Sequence, residues 1–118
     1  MRLLDTSVWI DFWRGDQHAL ELAQLLEDRE VLLHPWVLGE LALGGLGPRR
    51  HAVLHDLMLL NPAPVASDQE ALSWIDRHEL AGTGLGWVDV QLLASARIAS
   101  AEIWTSDQRL ASAWRRYR

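Results

Sequence analysis

Residues 2–10 read RLLDTSVWI, and this stretch decides the fold. The apolar residues before Asp5 suit a short buried strand that ends at this carboxylate. Thr6 and Ser7 then favour the start of a helix that runs to Gly15, since glycine is common directly after the last helical turn. The stretch therefore predicts a strand, a carboxylate at its end and a helix directly after it.

Segments typical of strands and helices alternate along the rest of the chain. Further strands are expected at residues 31–34 and 102–105, and further helices at residues 18–29, 36–43, 49–60, 68–80, 88–99 and 108–114. Pro62 and Pro64 are expected to break the chain between two of these helices. Such alternation is typical of a parallel sheet covered by helices on both faces. The sequence therefore predicts an α/β fold, and its length fits a single domain over residues 1–118.

The composition excludes several classes of protein. Cysteine is absent, so disulfides and thiolate metal sites are not available to this chain. No stretch approaches the about 20 apolar residues that a membrane span needs. The N-terminus also lacks the apolar core of a signal peptide. These features predict a cytoplasmic protein that does not associate with membranes.

The charge of the chain bears on any nucleic-acid partner. Sixteen acidic residues outnumber eleven basic residues, and the formal net charge is −5. Because phosphate contacts need positive charge, an RNA-binding interpretation must locate its cations. The candidates are Arg14, Arg49, Arg50, Arg115, Arg116 and Arg118. Tyr117 lies in the same C-terminal tail and is able to stack on a base, but a solvated polar tail is the other interpretation.

Four acidic residues occupy positions that suit a functional site. Asp5 follows the first predicted strand and Asp107 the last, and the carboxyl ends of parallel strands meet at one edge of a sheet. Glu40 stands among apolar and small residues, where an unpartnered charge is costly to bury. Asp89 follows a glycine-containing loop, near the start of a helix. Each also has an ordinary explanation, as a helix cap, a partner of the helix dipole or a solvated position.

These four carboxylates belong to separate elements, and we expect them to converge at the sheet edge. Hard cations such as Mg²⁺ and Mn²⁺ prefer oxygen ligands of this kind. Without a cation, packed carboxylates repel one another and some of their pKa values rise. The set therefore predicts a metal site suited to phosphoryl chemistry.

The motifs around these acids resemble those of PIN domains. Residues 4–10, LDTSVWI, resemble the opening motif of that family, and residues 37–41, VLGEL, resemble the second. Residues 86–94, GWVDVQLLA, resemble the third motif, and residues 105–107, TSD, resemble the closing one. Their order and spacing agree over nearly the whole chain. The single-domain length is similar to that of the VapC-type toxins of type II toxin–antitoxin systems.

The resemblance implies a three-layer α/β/α PIN-like fold with a mostly parallel central sheet. It also implies an endoribonuclease that depends on Mg²⁺ or Mn²⁺, cleaves RNA, forms a homodimer and is inhibited by a small VapB-like antitoxin. By position, the catalytic and metal-binding residues would be Asp5, Glu40, Asp89 and Asp107. Thr6 and Thr105 would support them by orienting water or a carboxylate.

Two other functions remain open within the same fold. One is an RNA-processing nuclease that is not a toxin, and the other is a binding module that has lost catalysis. The presence of all four acids argues against the second. A bacterial receiver domain has a similar size and fold class, but it needs a lysine, and this chain has none.

Overall fold

A four-stranded sheet lies at the centre of the protein. The structure is a computed structural model and describes residues 1–118. Its strands are β1 (Arg2–Leu4), β2 (Val31–Leu33), β3 (Asn61–Pro62) and β4 (Glu102–Trp104). Their spatial order is β3-β2-β1-β4, and all three pairings are parallel. The central strand β1 therefore delivers the residues that follow it to the middle of the sheet edge.

Seven α-helices cover the sheet, together with a short 3-10 helix at Gly47–Arg49. The helices are α1 (Thr6–Trp13), α2 (Ala19–Glu27), α3 (Pro35–Leu43), α4 (Arg50–Met58), α5 (Asp68–Arg77), α6 (Trp87–Ala99) and α7 (Gln108–Tyr117). The chain crosses the sheet in one direction from β1 to β3 and then returns to β4. Right-handed crossovers therefore place α1–α4 on one face and α5–α6 on the other, in agreement with the contacts of α3 with α1 and α4 and of α5 with α6. The predicted three-layer α/β/α fold is confirmed.

Apolar side chains fill the space between the sheet and the helices. Every residue of β2 is buried, as is expected of a short apolar strand covered on both faces. Val8, Val37, Leu93 and Leu110 bring four helices into the same core cluster. Full burial of such a side chain contributes about 1.5–3 kcal/mol. The core therefore fixes the strand ends from which the polar side chains project.

Strand β3 corrects the sequence-based prediction of a simple break at Pro62 and Pro64. Asn61 and Pro62 instead pair in parallel with Leu32 and Leu33. Proline cannot donate a hydrogen bond to a ladder, but an edge strand tolerates it because one side has no neighbour. The sheet consequently has one more strand than the sequence suggested.

Several helix ends differ from the prediction by one to three residues; α5, for example, ends at Arg77 rather than at residue 80. Ser67 caps α5: its hydroxyl accepts from Glu70 N–H at 3.1 Å, and the Glu70 carboxylate accepts from Ser67 N–H at 3.0 Å. Helix α7 continues to Tyr117, beyond the expected end at residue 114. None of the helices has the length and apolar character needed to cross a bilayer.

Candidate active site

Asp5 connects the end of β1 to the start of α1. Its Oδ1 accepts hydrogen bonds from the backbone N–H groups of Ser7 at 3.0 Å and Val8 at 3.4 Å, so the carboxylate caps the helix. The Ser7 hydroxyl donates to the same oxygen, and the Thr105 hydroxyl donates to Oδ2. Asp5 is only 8% exposed, and these donors offset the cost of burying its charge.

Asp107 stands on the other side of Thr105. The backbone N–H of Asp107 donates to Thr105 Oγ1 at 2.9 Å, so one hydroxyl links the two acidic residues. The exposed Asp107 carboxylate caps α7 by accepting from the N–H groups of Arg109 at 2.8 Å and Leu110 at 3.2 Å. Asp5 and Asp107 thus follow adjacent strands and share one anchor at the carboxyl edge of the sheet.

Asp89 is the third residue of α6 and is half-buried. Its Oδ2 accepts from Gly86 N–H at 3.0 Å. Burial raises the pKa of Asp89, the charges of Asp107, Asp5 and Glu40 raise it further, and the bond from Gly86 opposes the shift. Asp89 thus lies within electrostatic range of Asp5, Glu40 and Asp107, the other acids predicted from the sequence. We call these four acids the acidic cluster; their role as metal ligands stays a prediction.

Glu40 reaches the acidic cluster from α3. Its Oε1 accepts a hydrogen bond of 2.7 Å from the Thr6 hydroxyl at the start of α1. The side chain is exposed, so the expectation of a charge enclosed by apolar neighbours is wrong. Val37 and Leu41 face the core, whereas Glu40 takes the solvated side of the same helix.

The acidic cluster has the ligand chemistry of a divalent metal site, although the side chains do not close around a point. No group of three or more His, Asp or Glu side chains is arranged tightly enough to hold an ion as it stands. Hydrogen bonds engage one oxygen each of Glu40, Asp89 and Asp107 and leave the second oxygen of each carboxylate free. An all-oxygen set fits a hard cation, and positive charge would offset the repulsion that raises the pKa of Asp89.

A second polar group lies behind the acidic cluster and is completely buried. His34 ends β2 and caps α3, since its Nδ1 accepts from Trp36 N–H at 3.0 Å. The proton of the neutral ring then sits on Nε2. Gln91, on α6, donates from Nε2 to the Ala66 carbonyl at 3.0 Å, and its side chain lies beside the imidazole. We call His34 and Gln91 the polar bridge, because they join the helices that carry Glu40 and Asp89.

Burial is the main influence on the pKa of His34 in the polar bridge. It lowers the pKa of His34, while the Gln91 side chain opposes the shift. Nε2 of His34 and Oε1 of Gln91 are a complementary donor and acceptor, although neither forms a hydrogen bond in this structure. The His34 ring is therefore uncharged at neutral pH, and it lies beside Gln91 where α3 begins.

Sequence reasoning missed Ser7 as a member of the site. Its hydroxyl donates to Asp5 and accepts from Ser106 N–H at 3.1 Å, which ties α1 to the segment after β4. The signal was present, because a serine two residues after a capping aspartate is well placed to bond its carboxylate. His34 was missed as well, since a histidine that closes an apolar strand gives no sign of its partner on α6.

Comparisons with known proteins identify the family to which the chain belongs. The family model of the PIN domain matches residues 2–114. Ribonuclease VapC32 of Mycobacterium tuberculosis, from two strains, is 44% identical over 114 residues, which cover 96% of this chain and 90% of the relative. The crystal structure of VapC20 from the same species, a toxin that cleaves the sarcin–ricin loop, superposes with a TM-score of 0.68. It is 22% identical, and the match covers 96% of this chain and 95% of that one, so it supports the fold.

The chain belongs to the PIN-domain family, and within that family to the VapC-type ribonucleases. It is therefore a hydrolase of the endoribonuclease class. The resemblance drawn from four short motifs is confirmed, and so are the fold and the enzyme class that it implied. Divalent metals are generally used by ribonucleases of this family.

Proposed function

We propose that the protein is the toxin of a toxin–antitoxin pair and hydrolyses RNA phosphodiester bonds with Mg²⁺ or Mn²⁺ held by Asp5, Glu40, Asp89 and Asp107. The observation that carries this proposal is the placement of the four acids near the carboxyl edge of the sheet. The Thr105 hydroxyl links Asp5 to Asp107, and hydrogen bonds from Thr6 and from Gly86 N–H hold Glu40 and Asp89. Carboxylates gathered in this way repel one another, and a bound cation would offset that repulsion.

The residues of the chain would divide the work of positioning. Thr6 holds Glu40, Gly86 N–H holds Asp89, and the hydroxyls of Ser7 and Thr105 hold Asp5. Each carboxylate is thus oriented before any ligand arrives, so little reorganisation is needed on binding. When bound, a divalent cation would polarise the scissile phosphate and lower the pKa of a nearby water.

Cleavage of a total RNA preparation tests the activity. The wild-type protein should give discrete cuts with Mg²⁺ or Mn²⁺ and none with a chelator, and Asp89→Asn should give none with metal. Asp76→Asn is the matched control, because it makes the same chemical change at an exposed position on α5. Equal cutting by wild type and Asp89→Asn would contradict the site, and cutting that persists with chelator would contradict the role of metal.

An apolar groove beside α1 supports the proposal of an antitoxin partner. It measures about 570 Å³ and lies between α1, α2 and α4. Trp9 and Trp13 form one wall with their ring centroids 6.0 Å apart, and Trp13 is 39% exposed. Val53 and Leu57 form the other wall. We infer that an apolar segment of the antitoxin fills this groove, since exposed tryptophan is common at binding hot spots.

Growth on expression separates a toxin from an RNA-processing nuclease. Expression of the wild-type chain should arrest growth, and co-expression of a small neighbouring gene should relieve the arrest. Trp13→Arg should still arrest growth but should no longer be relieved, because the groove would hold a charge. Expression without any effect on growth would favour a processing nuclease.

A homodimer and a cytoplasmic location complete the proposal. Several large apolar side chains remain more than half exposed in the single chain, and the burial of such surface drives association. They are Leu20, Leu43, Met58, Leu59, Val65 and Leu72. Light scattering of the purified protein would give twice the chain mass of 13.4 kDa if the dimer forms. Its cytoplasmic location would follow from its RNA substrate.

A further inference from the structure

A groove beside the acidic cluster carries positive charge in an otherwise acidic protein. It lies between α7 and the segment of residues 80–85 and measures about 360 Å³. Arg109, Ser112 and Arg116 line it from one face of α7, at spacings of three, four and seven residues. Arg109 and Arg116 are the only charged residues along it, and neither forms an ion pair. We call this the α7 groove.

The α7 groove begins at the acidic cluster. Arg109 lies two residues after Asp107, whose carboxylate accepts from the Arg109 N–H at 2.8 Å. The Arg109 guanidinium donates to the Gly84 carbonyl at 3.3 Å. Gly84 in turn lies two residues before Gly86, the residue that holds Asp89. A polymer bound in the cluster would therefore pass directly along Arg109.

Gly84 provides the space that Arg109 occupies. Its φ of +87° is a conformation that side chains rarely adopt, and a Cβ atom here would lie 2.9 Å from Arg109 Nη1. The loop thus receives the guanidinium against its backbone. Because only one of its five N–H donors is bonded within the protein, the remainder are available to a ligand.

The aromatic residue in the groove is already engaged. The Tyr117 hydroxyl donates to the His78 carbonyl at 3.0 Å, and its ring centroid lies 4.5 Å from that of His78. The Arg116 guanidinium carbon lies 5.5 Å from the centroid of the Tyr117 ring. The base stacking considered for Tyr117 from the sequence is therefore not favoured. The charged groups exposed in the groove are the guanidinium groups of Arg109 and Arg116, which suit contacts with phosphate.

We propose that the α7 groove binds the phosphate backbone of the RNA substrate on one side of the scissile bond, through Arg109 and Arg116. This inference rests on the proposed ribonuclease function. The two residues are two helical turns apart, about 10 Å along the axis, so they would meet different phosphates. The contacts carry no base information: they fix the register of the strand and supply the positive charge that the net charge of −5 otherwise lacks.

Binding of a fluorescein-labelled oligouridylate, followed by anisotropy, tests the α7 groove. Arg109→Gln and Arg116→Gln should each weaken binding by about tenfold, the effect of losing one charge-assisted contact. The slope of log affinity against log salt should become shallower by about 0.7 per variant. With one phosphate contact fewer, binding releases fewer counterions from the RNA. Arg97→Gln, an exposed arginine on α6, is the matched control and should change neither quantity.

Cleavage kinetics give the second measurement. The variants should raise KM with little change in kcat, since Arg109 and Arg116 would hold the strand away from the bond that breaks. Variants that bind and cleave like Arg97→Gln, or wild-type protein that does not bind oligouridylate, would overturn the inference. Equally tight binding of polyglutamate would overturn it in favour of an acidic peptide. If oligouridylate binds through the arginines but no RNA is cut, the proposed activity fails while the groove stands.

Discussion

The acidic cluster and the polar bridge are neighbours, but they contrast in charge and exposure. Gln91 lies two residues after Asp89 on α6, and His34 ends the strand beside the one that leads to Asp5. The cluster gathers four like charges, and two of its members are exposed. The bridge is fully buried and bonds only to protein groups.

The pKa shifts of Asp89 and His34 both favour the neutral form of the side chain, but for different reasons. Burial lowers the pKa of His34, and nothing nearby would reverse the shift except the amide of Gln91. The pKa of Asp89 is raised by burial and also by three carboxylates, a repulsion that a bound cation would relieve. The difference teaches that a binding site can be recognised by repulsion between like charges that a ligand would relieve, whereas the polar bridge carries no charge that calls for a ligand.

Replacing Asp89 should have the largest effect, because it removes one charge from the acidic cluster and leaves the polar bridge intact. We expect Asp89→Asn to lower RNA cleavage by about 10²–10³-fold, the loss typical of one group that stabilises transition-state charge. Its free energy of unfolding should rise, because the amide keeps the bond from Gly86 and removes repulsion from three acids. Urea unfolding beside a cleavage assay measures both. A variant that is inactive and also less stable would contradict the account of the cluster.

Replacing Asp5 should give the same loss of cleavage with the opposite change in stability. Asp5→Ala removes the cap of α1 and leaves the hydroxyls of Ser7 and Thr105 without their acceptor. We expect the free energy of unfolding to fall by about 1–2 kcal/mol, the usual cost of losing an N-cap. The two variants are best measured side by side without metal, and a gain in stability here would count against the capping role.

Replacing Gln91 tests the polar bridge alone. Gln91→Ala leaves the buried Ala66 carbonyl without its donor and the His34 ring without its polar neighbour, so stability should fall by about 1–3 kcal/mol. Gln24→Ala, at an exposed position on α2, is the matched control and should have little effect. Restoring the side-chain length with Gln91→Glu should not restore stability, because a buried charge would replace the amide. An unchanged unfolding midpoint for Gln91→Ala would show that the bridge holds nothing.

The contributions of His34 and Asp89 to stability should change with pH in opposite directions. These effects should be smaller than those of the substitutions above. His34 has a lowered pKa in the folded state, so the stability it contributes is present above its ordinary value of 6.5 and is lost as pH falls below it. Asp89 has a raised pKa, so its contribution is present below 3.8 and is lost as pH rises through the folded value.

Urea unfolding across mildly acidic pH checks the signs. Wild-type stability should decline below about pH 6.5. His34→Gln should flatten that decline, because it removes the titrating ring, and Asp89→Asn should leave the decline steeper at lower pH. A wild-type protein that gains stability between pH 6.5 and 5 would reverse the sign given to His34.

The sequence predicted the fold and the acids because both depend on local patterns. Short apolar runs ending at Asp5 and before Asp107 revealed β1 and β4, and parallel strands then brought these acids to one edge. β3 was not predicted, because Asn61 and Pro62 are poor strand formers and their pairing depends on the edge of β2. The exposure of Glu40 escaped as well, because α3 is apolar on nearly every side and shows no polar face.

The carboxylates that cap helices have a consequence for relatives that have lost catalysis. Asp5 and Asp107 stabilise α1 and α7 whether or not any RNA is cut, so drift without selection for activity would tend to retain them. Glu40 and Asp89 have less of that protection: Glu40 is an exposed helix residue, and the single bond of Asp89 from Gly86 N–H is opposed by the repulsion of three acids. In a descendant of this protein that has lost activity, we therefore expect the first substitutions of the acidic residues at positions 40 and 89.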